Sequence, residues 1–448
     1  MAASLTGQGQ GHTAEYIPGI VLSVKASLPS LKDALRPPIV SVVGAIGLLL
    51  TSMVLAGQRH PGMDSAVYNA GAWAVLRGQP LYDSLAIPLP WADLPFTYPP
   101  IAAILFLPLI AFDLHIVWGI MAAICALALG VTVRTCLRTL VPEPNPWLVT
   151  VLAALPFGLQ AVWSTVGLGQ VNLLLMALIT VDVLAMRGSR YSGVLIGIAA
   201  AIKLTPLIFI PHLLITGRRT DAIRATLTFL GLQAFAWIVL PSDSVRYWTS
   251  AIMEGNGNRT YEAANQSING LMQRLSGQAP SALTVSLILG AACLALMVFL
   301  VQRLHSHGQP LAAMLVTAFC GLLVCPVTWT HHWTWVVPLC LLLGYRAFRS
   351  RDWTARLLLV VVLPVFSMDF RLLVRTGNHL ELNWGLTETL IGNAYLVAAL
   401  IVGAAGIALV TARQRSMIVA EQSFEVSQIP SPRQPDRSGR PLADQHRQ

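Results

Sequence analysis

Charge is what this sequence has least of. Only 11% of its 448 residues are Asp, Glu, Lys or Arg, against 55% hydrophobic; soluble domains carry about 25% charged residues. A deficit of this size over so long a chain excludes a soluble globular enzyme and indicates a polytopic membrane protein. Cysteine is scarce as well. The six (Cys125, Cys136, Cys293, Cys320, Cys325, Cys340) lie in or at the ends of apolar runs, with no CxxC spacing. That excludes a thiolate zinc site and leaves them as small buried side chains. The segment GLGQVN at 167–172 has G-x-G but no third glycine and no preceding strand, so dinucleotide binding is rejected. The net charge of +9 does not indicate nucleic acid either, because the Lys and Arg residues cluster between apolar runs, as in cytoplasmic loops.

What is there is a series of apolar segments punctuated by arginine. Residues 1–38 are too long and mixed for a signal peptide and read as a flexible cytosolic lead-in. Residues 39–57 are a first span, with Lys25, Lys32 and Arg36 before it holding the N-terminus inside. Residues 65–77 place apolar or small residues at 67, 71, 74 and 75, which predicts a helix lying on the outer membrane surface, ended by Gly78 and Pro80. Residues 99–112 are apolar but too short to cross and read as a re-entrant or interfacial piece. Further spans follow at 115–133, 147–163, 170–186, 222–240, 281–301, 311–327, 334–345, 355–366 and 389–411, oriented by arginines such as Arg134, Arg187, Arg218, Arg346 and Arg413. Between Arg190 and Arg218 the apolar stretch 191–217 has both ends inside and is too short for two crossings. It reads as two half-helices meeting at a polar tip at Lys203, Thr205 and Pro206. The expectation is an all-α protein with about 10–13 transmembrane helices, a membrane unit over 39–411 and a disordered cytosolic tail over 412–448.

Oriented by its basic loops, the chain collects Asp64, Tyr98, Gln170, Asn172, Lys203, Asn265, Gln266, His331 and His332 on the outer face. Asp64 stands just past the first span and before a helix. It is an N-cap or a carboxylate whose pKa is raised toward a general base's range; position alone leaves both open. Lys203 has no other charge near it, which suits a phosphate; the alternative is snorkelling to the interface. His331 and His332 stand in a turn flanked by Trp329, Trp333 and Trp335. Trp329 and Trp335 read as an aromatic belt, while the imidazoles can donate to a phosphate or to sugar hydroxyls. Adjacent histidines chelate poorly and no carboxylate is spaced to complete a zinc site, so no metal and no cofactor are expected. Gln170 and Asn172 either bond a sugar or cap the following helix. NQSING at 265–270 matches a glycosylation acceptor by chance, or supplies Asn265 and Gln266 to an outer cavity.

Six segments in order, DSAVYNAGAWAVLRGQPLYD, FTYPPIAAILFLPL, GQVNLLLMALITVD, GVLIGIAAAIKLTPLIFIPHLL, NQSING and PVTWTHHWTWVVP, resemble the actinobacterial polyprenyl-phosphate-mannose-dependent α-mannosyltransferases, glycosyltransferase family 87 of the GT-C superfamily. The resemblance runs from about residue 39 to 411. It implies a GT-C fold in the plasma membrane, with both termini cytoplasmic and the site on the extracytoplasmic face. It also implies a lipid-linked mannosyl phosphate donor and, as acceptor, a mannose of a phosphatidylinositol mannoside, lipomannan or lipoarabinomannan, joined by an α-1,2 linkage. The family's catalytic aspartate falls on Asp64, and its TYPP, K-L-T-P and T-H-H-W elements on Tyr98, Lys203, His331 and His332. Ser65 and Ala66 follow the aspartate where relatives carry an acidic residue or an aromatic, so acceptor contacts there would differ. A single base opposite a leaving phosphate implies one displacement with inversion. A polyprenyl-phosphate-arabinofuranose transferase is the first alternative. A transporter or flippase would need inverted repeats and midplane charges, and the charges here sit at span ends. A non-catalytic assembly scaffold is the third, and it would be indifferent to Asp64→Asn.

Overall fold

A computed structural model describes residues 32, 35–54, 62–83, 85, 94–254 and 259–408. The lead-in before residue 32 and the tail from 412 on lie outside the described residues. The described residues up to Gly403 form one compact unit; a second begins at Ala404, described only as far as Ala408. Among the described residues the secondary structure is helical, with no strand and one isolated bridge between Asn265 and Trp329. The chain is an all-α polytopic membrane protein, as its composition requires.

Among the described residues three helices are long and apolar enough to cross a bilayer in one piece: Leu114–Leu140, Arg219–Val239 and Ser281–Ser306. Two more segments reach that length only as bent pairs, Pro146–Gly158 with Gln160–Leu168 at 78° and Leu386–Gly392 with Ala394–Ala408 at 75°. Six shorter apolar helices accompany them, among them Ile39–Val54, Asn172–Ala185, Pro310–Val324 and Trp353–Ser367. The expected row of unbroken spans is therefore interrupted. Proline is one cause: Pro156 and Pro206 each open a tight 3-10 turn, where a missing N–H cannot continue the helix.

Leu114–Leu140 is the central helix. Its small residues let neighbours approach closely: Ser52 packs over Gly119 and Ser41 over Gly130, joining it to Ile39–Val54. Arg219–Val239 and Ser281–Ser306 are peripheral, and their Leu230, Ile238, Leu287 and Ile288 are exposed, as a lipid-facing surface demands. At one end of the fold the short turns between helices are locked by a buried polar knot. Asp182 accepts from the backbone N–H groups of Gly193 (2.8 Å) and Leu195 (3.0 Å), and Arg218 donates to Asp221 (2.8 Å) and to the Asp182 carbonyl (3.1 Å).

Two expectations are corrected here. The helix Met63–Arg77 does not lie on a surface, because nine of its residues, including Ser65 through Ala72, are buried. Its alanines and Gly71 leave room for neighbours on every side, and a Cβ on Gly71 would strike the Phe96 ring. The tryptophans of the TWTHHW turn are not all an aromatic belt. Trp333 and Trp335 are buried, and Trp335 stacks on Phe209 at 5.6 Å.

Candidate active site

Asp64 is carried on the first turn of Met63–Arg77. The helix starts at Gly62, which takes a left-handed conformation (φ 98°), and no side chain caps it. Asp64 is thus inside the helix and makes no capping bond, so the capping explanation of this residue falls away. Its carboxylate stands at the positive end of the helix dipole. Tyr68 lies one turn on, four residues away, and therefore on the same face. Its ring stacks on Phe106 at 4.4 Å.

Tyr98 is brought in by the prolines behind it. A residue before proline is pushed to extended backbone, and Pro100 opens the helix Pro100–Leu105 at a position where its missing N–H costs nothing. The Tyr68 and Tyr98 hydroxyls meet at 3.0 Å, and both reach Oε1 of Gln170, at 2.6 and 3.1 Å. Gln170 sits just beyond Gln160–Leu168, which ends in the left-handed Gly169 (φ 69°). A Cβ there would lie 2.7 Å from that of Ser65, so only glycine lets this turn press against the residue next to Asp64.

Lys203 ends the helix Val194–Ile202 in extended backbone, ahead of the 3-10 turn Thr205–Ile208 and the helix Phe209–Ile215. The broken pair expected from the sequence is present. The Lys203 ammonium does not reach outward. It donates to Oδ1 of Asn172 at 3.0 Å, meets Nε2 of His332 at 3.1 Å and stands 5.7 Å over the Tyr98 ring. Because an ammonium has only donors, Nε2 of His332 accepts and its proton belongs on Nδ1.

His331 and His332 occupy the 3-10 helix Thr330–Trp335. The His331 carbonyl accepts from Thr165 Oγ1 (2.9 Å) and Asn172 Nδ2 (3.0 Å). Burial pushes the His331 imidazole down to about 3, and His332 well below its ordinary value, with the Lys203 charge acting in the same direction. Both are neutral near pH 7, and each offers one N–H donor.

Burial has the opposite sign for an acid. It raises Asp64 to about 6, against the opposing pull of the Lys203 charge and of the Gln170 amide beside it. The site therefore holds one carboxylate with a pKa of about 6, one ammonium, neutral imidazoles and two tyrosyl hydroxyls that burial keeps protonated. Asn172, Lys203 and His332 line a small cavity of about 50 Å³, which Leu175, Met176, Ile208, Phe209, Leu322 and Trp335 also border.

Seven of the nine residues singled out in the sequence, Asp64, Tyr98, Gln170, Asn172, Lys203, His331 and His332, are brought together here. Asn265 and Gln266 are not. Asn265 donates to the Thr260 carbonyl (2.8 Å) and accepts from Thr328 N–H (2.9 Å), and Gln266 donates to the Ala263 and Gly392 carbonyls (2.8 and 2.7 Å) and accepts from Tyr395 N–H (3.2 Å). Turning either side chain to a sugar would orphan buried groups at about 1–3 kcal/mol each; Asn265 instead braces the segment leading to the histidines, and Gln266 ties its own loop to Gly392 and Tyr395. Tyr68 and Thr165 were missed. Tyr68 was findable from its four-residue spacing to Asp64; Thr165 acts through a carbonyl 166 residues away and leaves no mark in the sequence. Among the described residues no three His, Cys, Asp or Glu side chains gather as a metal would need.

The model of glycosyltransferase family 87 matches residues 96–326, just over half of the chain. A polyprenol-phosphate-mannose-dependent alpha-(1-2)-phosphatidylinositol mannoside mannosyltransferase of Mycolicibacterium smegmatis is 31% identical over 78% of this chain and 84% of its own length. The chain belongs to glycosyltransferase family 87. A relative from Mycobacterium tuberculosis bearing the same description is 29% identical over 69% of this chain and 77% of its own. Another from that organism, described as a phosphatidylinositol pentamannoside mannosyltransferase, is 31% identical over 68% and 71%. No solved structure matches the chain. The family match spans Tyr98, Gln170, Asn172, Lys203, Asn265 and Gln266; Asp64 and the histidine pair lie outside its bounds.

Proposed function

We propose that this protein transfers mannose from a polyprenyl-phosphate-mannose donor to a mannose hydroxyl of a phosphatidylinositol mannoside or a larger glycolipid built on one, forming an α-1,2 linkage. Residues 39–411 are the catalytic unit, placed in the plasma membrane with both termini cytoplasmic and the site on the outer face. The observation that carries this reading is the pairing of a half-buried carboxylate with a half-buried ammonium across one polar cluster.

The parts divide by chemistry. A sugar hydroxyl is a poor nucleophile until it loses its proton. Asp64 takes that proton as the acceptor oxygen bonds to the mannosyl C1, while the bond from C1 to the donor phosphate breaks on the opposite side. The departing phosphate is held by the Lys203 ammonium and the His332 and His331 imidazoles, with Tyr98 beside them. A polyprenyl-phosphate-arabinofuranose donor would use the same groups, and the mannose specified in the descriptions of the relatives favours the first reading.

The pH dependence tests it. A general base works deprotonated, and Asp64 is raised to about 6, so transfer at saturating donor should climb through about pH 6 and level off above it. Two pH units below the midpoint only about 1% of the base is ionised. Initial rates in liposomes from pH 4.5 to 7 measure this. A flat profile down to pH 4.5 would remove the carboxylate from the chemistry.

A further inference from the structure

Two amides stand two residues apart on the turn between Gln160–Leu168 and Asn172–Ala185, and each is turned toward one of the two charges of the site. We infer that Gln170 and Asn172 are positioning residues, and that the turn carrying them is a spacer that sets the Asp64 carboxylate and the Lys203 ammonium at a fixed separation. This rests on the reading of Asp64 as the base.

Gln170 is only 3% exposed. Its Oε1 is occupied by three donors: the hydroxyls of Tyr68 and Tyr98 and, at 3.0 Å, the N–H of Val171. An oxygen so engaged cannot exchange places with the NH2 group. The orientation of the amide is therefore settled by its neighbours. Nε2 is left to meet the Tyr98 hydroxyl at 2.9 Å and to stand against the Asp64 carboxylate. Asn172 is settled in the same way from the other side. Its Nδ2 donates to the His331 carbonyl, which leaves Oδ1 for the ammonium of Lys203. The side-chain-free Gly169 lets the turn abut Ser65, so the spacer is braced against the backbone that carries Asp64. A sugar could reach either amide only by displacing these bonds, in contrast to the sugar-binding role that residue type alone suggested.

The two amides have different tasks, and this separates them experimentally. The titratable groups facing Asp64 are Lys203, Tyr68 and Tyr98, and both tyrosines stay protonated across the assay range. Removing the Gln170 N–H donors should then move the acidic limb of the rate profile upward, because the ionised carboxylate loses a partner. In the purified full-length chain, Gln170→Met should lower kcat about tenfold and shift that limb up by about one pH unit. Its KM values for donor and acceptor should change less than about twofold. Gln170→Glu keeps the size and an acceptor oxygen but adds a like charge, and should move the limb further still. Asn172→Leu should instead raise the donor KM about tenfold and leave the limb in place. A raised acceptor KM with an unmoved limb in both Gln170 variants would overturn the proposal in favour of sugar binding. Asp64→Asn is measured in parallel. If it keeps near-normal transfer, the underlying reading of the base has failed; if it is inactive while Gln170→Met titrates like wild type, only the spacer has failed.

Discussion

Asp64→Asn should lower mannosyl transfer by about 10²–10⁴-fold, the usual worth of a positioned general base, while the protein folds and still binds donor. Asn keeps the shape of Asp and can accept a hydrogen bond, but it cannot take the acceptor's proton. The structure removes the competing explanation of the residue. Asp64 lies inside the first turn, the cap position belongs to Gly62, and no capping bond is made. What the substitution forfeits in stability is the carboxylate's interaction with the helix dipole, about 0.3–1 kcal/mol, together with those with the Lys203 charge and the Gln170 amide. Asn in turn avoids the cost of burying a charge at a site where desolvation is the largest influence on Asp64. Thermal stability should therefore stay close to wild type, and the loss should be one of rate. Asp64→Glu should recover little, since an added methylene displaces a carboxylate packed against Gln170 and the two tyrosines. Near-normal transfer by the purified Asn variant would rule Asp64 out as the base.

Lys203→Ala should have the second largest effect, on the donor side. A hydrogen bond to a charged group contributes about 1.5–3 kcal/mol, so kcat/KM for the donor should fall roughly 10- to 100-fold, with the acceptor KM little changed. Snorkelling predicts no such loss, and the geometry already argues against it: the ammonium turns inward to Asn172 and His332. Lys203→Arg should retain part of the activity, because the charge survives while the fork of a guanidinium does not match a site built around a point charge. Donor kinetics equal to wild type in Lys203→Ala would return the residue to a structural role.

Much of this site was legible in the sequence, for identifiable reasons. Asp64 and Lys203 are rare charges in an apolar chain, and charge in such surroundings is expensive enough to need a cause. The break at Thr205–Pro206 and the helix start at Pro99–Pro100 follow from proline chemistry, which acts locally. Lys203 at a tip and Tyr98 ahead of a helix were therefore placed correctly. The failures share a different origin. Asn265 and Gln266 have the residue types of a sugar site, but whether an amide is free or committed depends on carbonyls at Thr260, Ala263 and Gly392 that only the folded chain brings close. The burial of Met63–Arg77 was hidden because alanine is compatible with a surface and with a tight interior, and the Phe96 and Trp118 rings that cover it come from other segments. Helix breaks such as the 78° bend before Gln160 were hidden too, because hydropathy reads continuously through them.

The central claim is that this protein moves a mannosyl group from a polyprenyl phosphate to a mannosylated phosphatidylinositol. Its most direct test supplies the purified chain in liposomes with labelled polyprenyl-phosphate-mannose or labelled polyprenyl-phosphate-arabinofuranose, each with a phosphatidylinositol mannoside acceptor, followed by linkage analysis of the labelled lipid. The account predicts label from the mannose donor alone, in a new α-1,2 linkage on an acceptor mannose. Transfer from the arabinose donor instead, or relocation of intact donor across the bilayer without a new glycosidic bond, would contradict it.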